Sequence, residues 1–182
     1  NCQGILTIEL PSTIKTIAMD GTSSTGGKGK DTFLGCTSLY TVDFGANSAL
    51  TSIGNTIFSG CTQLTNVYFG DKLTSIGTDI FKNCTSLTTL RLSNAMTSIP
   101  QNFLSGCSNI TSVNIPTSVK SIGSNAFKDC KGLTSIVFEN VITSIGSGAF
   151  SGCTELTSVE FNGGATLTSI SNDTFANTTK LT

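Results

Sequence analysis

The chain has 182 residues, of which 12% are charged, and its 10 basic and 11 acidic side chains give a formal net charge of −1. Ordinary soluble domains carry roughly 25% charged residues, so Ser, Thr, Asn and Gly take the place of charges here. The charges form no long run, which excludes the electrostatic footprint of a nucleic-acid-binding protein. No stretch reaches the roughly 20 apolar residues of a membrane-spanning helix, and we expect no direct membrane insertion by this segment.

Cysteine recurs along the chain at a fixed interval. Cys84, Cys107, Cys130 and Cys153 are each separated by 23 residues, and self-similarity with a period of roughly 20 to 50 residues indicates a solenoid of stacked units. We therefore predict a single array, 1–182, of about seven units. Solenoids need polar caps over their terminal units. Since neither end shows one, we interpret the chain as an internal fragment of a longer protein.

Apolar residues follow each cysteine at +3, +6 and +8, and polar residues generally separate the last two. This period-2 alternation predicts a short strand with one buried face, and it occurs seven times. The sets are Ile5/Ile8/Leu10, Leu39/Val42/Phe44, Leu64/Val67/Phe69, Leu87/Leu90/Leu92, Ile110/Val113/Ile115, Leu133/Ile136/Phe138 and Leu156/Val159/Phe161.

A second apolar group precedes each following cysteine, with an aliphatic residue at −11, Ile at −8 and usually Phe at −3. The tetrad Thr-Ser-Ile-Gly recurs at 51–54, 74–77 and 143–146, where Gly suits a sharp turn. Ile76 and Ile80 are four residues apart, as one turn of helix would place them. Each unit is therefore predicted to be a strand, a turn, a short extended piece and a helical turn. Pro100 and Leu104 depart from the pattern.

The interval from Cys2 to Cys36 is longer than the others, at 34 residues. The additional residues lie in 18–30, which is rich in Gly, Ser and Thr and is predicted to be a loop insertion. Part of it superficially matches a phosphate-binding loop. However, Gly29 follows Lys28 where that motif requires Ser or Thr, so a surface loop is the better interpretation.

These spacings resemble the BspA-like, or Treponema pallidum type, leucine-rich repeat, most clearly from Leu133 to Cys153. The resemblance covers nearly the whole chain outside 18–30. It implies a leucine-rich-repeat solenoid of the α/β horseshoe class, mainly β with short helical or 3-10 turns, forming a right-handed curved superhelix with a parallel sheet on its concave face. The asparagine of the ordinary leucine-rich repeat is present only at Asn47 among the seven equivalent places, which agrees with the BspA-like subtype.

The seven cysteines allow three interpretations. Equivalent residues in a parallel stack recur about every 4.8 Å, within reach of a disulfide, but their side chains point the same way. A column of small buried thiols is therefore favoured, with disulfides or a metal site as alternatives. The chain contains no His and lacks the close paired spacing of zinc sites. We predict no metal, no cofactor and no catalytic residues, and thus no enzyme.

The residues most exposed to a partner are those at +7, facing out of the predicted strands. We call this column the +7 strip, and at about 4.8 Å per step it would be about 29 Å long. Tyr and Arg are enriched at interface hot spots, which makes Tyr68 and Arg91 its strongest candidate anchors. Variation unconstrained by any partner is the alternative explanation. The strip consists of Glu9, Asp43, Tyr68, Arg91, Asn114, Val137 and Glu160.

The resemblance implies a cell-surface or secreted protein that functions in adhesion. We therefore expect a non-enzymatic scaffold that binds a protein partner, such as a host matrix or cell-surface protein, through its concave face. A structural spacer or self-assembling element is the alternative, because uncapped ends would expose core and support contacts between copies. A third hypothesis is that the repeats capture substrate for a catalytic part elsewhere in the parent protein.

Overall fold

A computed structural model describes residues 6–9, 13–17, 33–163, 166–167, 169–171 and 173–182. These residues form a β-solenoid of parallel strands, which confirms the predicted fold class. We call one repeat around the stack a coil. The predicted loop insertion at 18–30 and the first cysteine, Cys2, lie outside the described residues.

The first sheet contains the strands that follow the cysteines. Its strands pair in parallel in the order β1-β3-β5-β7 and, as a separate block, β10-β12. Six of the seven predicted strands are thereby confirmed. Residues 112–114, where another was expected, form no strand and interrupt the sheet. The strands are β1 (Thr7–Glu9), β3 (Thr41–Asp43), β5 (Asn66–Tyr68), β7 (Thr89–Arg91), β10 (Ser135–Phe138) and β12 (Ser158–Phe161).

The second sheet contains the two-residue strands that end at the Ile of the Thr-Ser-Ile segments or of their equivalents, in the orders β2-β4-β6 and β11-β9-β8. It breaks between β6 and β8, at Pro100. In other coils the residue at this place donates its N–H to the preceding coil, as Gly77 does to the Ile53 carbonyl at 2.8 Å. Proline has no N–H to donate. The strands are β2 (Thr16–Ile17), β4 (Ser52–Ile53), β6 (Ser75–Ile76), β8 (Ser98–Ile99), β9 (Ser121–Ile122) and β11 (Ser144–Ile145).

The return segments before the cysteines are turns, and no described residue is helical, so the predicted helical turn is wrong. Alternate backbone N–H groups of these turns bond to the next coil, while those between them bond three residues back within the turn. The Phe58 N–H donates to the Ile80 carbonyl at 3.0 Å, and the Phe127 N–H donates to the Ala149 carbonyl at 2.8 Å. An α-helix would use those N–H groups within its own turn. Successive coils are consequently hydrogen-bonded along this side as well.

Glycine ends the Thr-Ser-Ile-Gly tetrad because the neighbouring coil is too close for a side chain. A Cβ atom at Gly77 would lie 2.4 Å from the Asn55 nitrogen, and one at Gly146 would lie 2.4 Å from the Ser124 nitrogen. Neither glycine has a positive φ. The sharp turn expected at this glycine is therefore not the reason for it.

Apart from Gly45, which follows β3, the positive φ angles occur at two places in the return turn, five residues and one residue before the cysteine position. Gly60 has φ 72° and Asn83 has φ 61° at the second place. Gly, Asn and Asp tolerate this left-handed region and hold nearly all of these positions. Thr56 is the exception, with φ 57°, and a β-branched residue is strained there.

The core consists of the predicted apolar columns. Phe rings at −3 stack between coils: Phe58 and Phe81 have ring centroids 5.8 Å apart, and Phe127 and Phe150 have centroids 5.2 Å apart. The fourth coil places Phe103 one residue earlier and Leu104 at −3, and both side chains are buried. Burial of these columns is the main stabilising contribution to the stack. Some members of the columns are only partly buried, among them Ile76, Leu90, Val159 and Phe161.

The cysteines form a buried column in which each thiol donates to a backbone carbonyl of the preceding coil. Cys107 Sγ lies 3.1 Å from the Phe81 oxygen, and Cys130 Sγ lies 3.2 Å from the Leu104 oxygen. This arrangement confirms the expected thiol column at five residues. Cys36 is instead part of a disulfide, so the expectation of unpaired thiols is wrong there; Cys36 follows the interval that breaks the 23-residue period. The free thiols are Cys61, Cys84, Cys107, Cys130 and Cys153.

Burial raises the pKa of every free thiol. The pKa of Cys61 is raised to about 11 and that of Cys153 to about 12. For Cys84, Cys107 and Cys130 burial raises the pKa well above the usual value, and neighbouring thiols raise it further. The thiolate is the reactive form of cysteine, so burial and the raised pKa both suppress the reactivity of these thiols in the folded protein.

Replacing Thr56 with Asn should raise the free energy of unfolding by about 0.5–1 kcal/mol, because Asn tolerates the left-handed backbone that strains Thr. The equivalent residues of two later coils, Asn102 and Asn125, are already Asn. Urea titration monitored by circular dichroism measures the change. Asn125→Thr is the reciprocal control and should be destabilised; a less stable Thr56→Asn protein would contradict the strain argument.

Iodoacetamide at mildly alkaline pH should leave Cys84, Cys107 and Cys130 unmodified in the folded protein, because their thiols are buried and their raised pKa values suppress the thiolate. In urea the same residues should be fully alkylated. Peptide mass spectrometry identifies each modified residue. Alkylation of these three thiols at equal rates with and without urea would show that the column is accessible.

Candidate functional site

The +7 strip begins as one continuous row. Strand register pairs Glu9 with Asp43, Asp43 with Tyr68, and Tyr68 with Arg91. The row exists because each strand starts five residues after its cysteine and the sheet is parallel and in register. Glu9 and Arg91 are exposed, whereas Asp43 and Tyr68 are half-buried.

The other three strip residues do not continue that row without interruption. Val137 and Glu160 are paired in the β10-β12 block. Asn114 lies between the two blocks, in the 112–114 segment that forms no strand. The sheet therefore brings four strip residues together at one end and two at the other, with Asn114 at the break between them.

Arg91 provides the only cation of the strip, and it is held by a carboxylate that sequence reasoning did not identify. Its Nη2 atom donates to Asp71 Oδ1 at 2.9 Å, and the two side chains are equally exposed. Asp43 is also oriented locally, because its Oδ1 accepts the Gly45 N–H at 2.7 Å. An exposed ion pair of this kind adds roughly 0–1 kcal/mol to stability. Its main consequence is to fix the direction of the guanidinium.

A polar cavity of about 270 Å³ lies where the first sheet breaks. Two strip residues, Arg91 and Asn114, line this cavity. Asn94 also lines it, and the sequence did not predict that contribution. Guanidinium and amide groups line the cavity without any carboxylate, so it presents several hydrogen-bond donors together with amide acceptors. The lining residues are Leu90, Arg91, Leu92, Asn94, Asn114 and Pro116.

The arrangement is suited to binding. The titratable groups of the strip are spread along it with at most one in each coil, and Arg91 is neutralised by Asp71. Within the described ranges, no three His, Cys, Asp or Glu side chains are placed to hold a metal ion. In that same part of the chain, no helix is long and apolar enough to cross a membrane.

Comparison with known sequences and structures identifies several similar proteins. The sequence profile described as "BspA type Leucine rich repeat region" matches six copies, over residues 27–140 and 120–182. No protein of curated function matches by sequence. A T. pallidum leucine-rich-repeat protein is similar in structure, with a TM-score of 0.76 and 28% identity over 98% of this chain and 78% of its own.

Two further solved structures share the fold. A leucine-rich-repeat protein from Bacteroides ovatus has a TM-score of 0.71 and 28% identity over 78% of this chain. This chain spans only 38% of the length of that protein. A leucine-rich cell surface protein from Faecalibacterium prausnitzii has a TM-score of 0.51 and 21% identity, over 97% of this chain and 65% of its own.

The amides of residues 112–114 should exchange with solvent at least about tenfold faster than those of β5, because β5 is hydrogen-bonded within the first sheet and 112–114 form no strand. Hydrogen exchange followed by NMR resolves the two segments. The comparison uses Val113 and Val67, which occupy equivalent positions in their coils. Equal protection at these two valines would show that the sheet is continuous in solution.

Proposed function

Since the chain belongs to the BspA-type leucine-rich-repeat family, we propose that it is a non-enzymatic scaffold that binds a protein partner through the +7 strip. Proteins of this family and fold are generally interaction or surface scaffolds. The finer proposal is adhesion: the partner is a host matrix or cell-surface protein, and the chain acts at the cell surface or outside the cell.

One observation carries this proposal: Tyr68, Arg91 and Asn114 come together around the sheet break. Tyr68 and Arg91 are register partners on adjacent strands, and Arg91 and Asn114 line the same cavity. A tyrosine on the strand next to a positioned guanidinium, together with an amide-lined cavity, is the composition of an interface hot spot. The cavity can receive a single side chain or backbone carbonyl of the partner, which gives the strip an anchor point.

The charges on either side of this anchor suggest the character of the partner. Glu9 and Asp43 lie at one end of the strip and Glu160 at the other, while Arg91 already has Asp71 as its counter-ion. The strip therefore presents uncompensated negative charge at both ends. A partner surface with basic groups flanking a polar centre is the complementary arrangement. Such charges contribute mainly to the rate of association and to specificity.

The rigid backbone of the strip lowers the ordering cost of binding. The side chains are carried by backbone that is hydrogen-bonded to the neighbouring coils: the Phe69 N–H, for example, donates to the Arg91 carbonyl at 3.0 Å. Ordering of loops and side chains is one of the main penalties of association. A scaffold already held in its bound shape avoids part of that penalty.

The double variant Tyr68→Ala with Arg91→Ala should weaken binding to a matrix or cell-surface partner by at least about tenfold, since it removes both predicted anchors. Surface plasmon resonance against a panel of immobilised extracellular-matrix proteins measures the loss, and circular dichroism verifies folding. Binding that is undiminished in the folded double variant would contradict the proposal.

The matched control is Gln101→Ala with Lys128→Ala, which also removes one neutral and one basic side chain, both exposed but on the return turns. It should bind as the parent does. Light scattering on the same samples separates the alternative function. If no foreign partner binds and the mass grows with concentration, the array is a self-assembling structural element.

A further inference from the structure

A second pocket lies beside the first sheet, at the end of the array opposite the last coil and away from the sheet break. Its volume is about 610 Å³ and it is open to solvent. Neither Tyr68, Arg91 nor Asn114 contributes to it. The residues around it are Leu6, Thr7, Thr37, Ser38, Tyr40 and Gln63.

The pocket exists because the first two coils depart from the rest at one surface column, four residues after the cysteine. Later coils carry Thr there, and four of the five hydroxyls donate to a carbonyl of the coil before: Thr88 Oγ1, for example, donates to the Thr65 carbonyl at 3.3 Å. The equivalent residues of the first two coils are Leu6 and Tyr40. A regular surface of hydrogen-bonded threonines is thus replaced by two large side chains, of which Leu6 is 64% exposed and Tyr40 is 51% exposed.

Tyr40 is presented on a rigid support. Its N–H donates to the Leu6 carbonyl at 2.9 Å, and its own carbonyl accepts the Thr65 N–H at 2.9 Å and the Thr65 hydroxyl at 3.1 Å. An exposed tyrosine ring with a fixed backbone offers an apolar face at little entropic cost on binding. The ring is therefore a preformed platform on the side of the solenoid.

The remaining lining is polar and uncharged. Thr37, Ser38 and Gln63 supply two hydroxyl groups and an amide, and none of these side-chain groups bonds to another described residue. Hydroxyl and amide groups both donate and accept hydrogen bonds. Among the residues that the structure describes, no Lys, Arg, Asp or Glu lines the pocket, so none of these residues would compensate a charged ligand.

We propose that this pocket binds a neutral hexopyranose unit of a glycan. A pyranose ring has a face of C–H groups, which would pack on the Tyr40 ring, and a rim of hydroxyl groups, which match the free side chains of Ser38 and Gln63. The volume lies within the range of roughly 300–1,000 Å³ of small-ligand sites. An acyl chain would require a more enclosed and more apolar cleft, and an anion would require a cation. This site is separate from the +7 strip and does not depend on it.

Saturation-transfer-difference NMR tests the proposal with methyl glycosides of glucose, galactose and mannose and with N-acetylglucosamine. At least one should receive saturation and bind with a dissociation constant on the order of 1 mM, as expected for one small ligand in an open site. Tyr40→Ala should reduce the saturation at least tenfold, whereas Tyr40→Phe, which keeps the ring, should retain it.

The second tyrosine provides the matched control. The chain has two tyrosines and no tryptophan, so in Tyr68→Phe the intrinsic fluorescence reports on Tyr40 alone. The sugar that binds the parent should change this fluorescence saturably. The Tyr68→Phe variant should bind that sugar with the same dissociation constant as the parent. The Tyr68→Ala, Arg91→Ala double variant should also keep sugar binding, which separates failure of this site from failure of the +7 strip.

Three results would overturn the proposal. One is the absence of saturation transfer to all four sugars, and another is equal transfer to the folded Tyr40→Ala variant. The third is concentration-dependent dimerisation that Tyr40→Ala abolishes, which would assign the pocket to a contact between copies of the chain. Circular dichroism spectra of every variant exclude loss of folding as the cause.

Discussion

The structure depends on backbone hydrogen bonding between successive coils, with equivalent residues about 4.8 Å apart. Because the bonds run along both sheets and along the return turns, each position becomes a column whose members share one environment. The Thr51 N–H donates to the Lys15 carbonyl at 2.8 Å on one side, and the Gly60 N–H donates to the Lys82 carbonyl at 2.8 Å on another. A residue is therefore tolerated at a position only if it fits the environment that the other members of its column share. This single constraint explains the buried aromatic stacks, the left-handed turn positions and the glycines against which the next coil packs.

The cysteine column illustrates how far this constraint reaches. The Phe81 carbonyl accepts both the N–H of Cys84, at 3.0 Å, and the thiol of Cys107, at 3.1 Å. A thiol suits this place because it is small, apolar enough to be fully buried and still a weak donor. Where Thr178 replaces cysteine, its hydroxyl donates at 2.6 Å to the Phe175 carbonyl of its own coil. The column is thus a packing element whose oxidation state has no part in the proposed binding, whereas the disulfide of Cys36 lies where the period is broken.

Much of the fold could be predicted from the sequence because the residues of one column recur at a fixed interval along the chain. The apolar columns, six of the strands and the burial of the thiols all follow from spacing alone. The interruption at 112–114 could not be predicted, because Val113 and Ile115 preserve the apolar pattern while hydrogen bonding is lost. The spacing of Ile76 and Ile80 fits a helical turn as well as it fits the observed turn, so the sequence predicts a helix. The sequence does not reveal the hydrogen bonds between coils, which favour the turn. Asp71 and the Tyr40 pocket depend on contacts between coils of unequal composition, so no single repeat indicates them.

In such an array, coils that repeat without change leave no distinctive surface for a partner to recognise. A perfectly repeated coil satisfies its own surface groups, as the threonine hydroxyls of successive coils do, and presents the same surface at every step. A partner that distinguishes one part of the array from another must therefore contact places where a column changes. The fourth coil carries Pro100 and an exchanged Phe103 and Leu104, and the first sheet breaks immediately after it. The polar cavity forms at that break, and the Tyr40 pocket forms where Leu6 and Tyr40 occupy the position that threonine holds in all later coils. Both candidate sites thus arise from departures from the repeat, while the regular coils hold those departures in fixed positions.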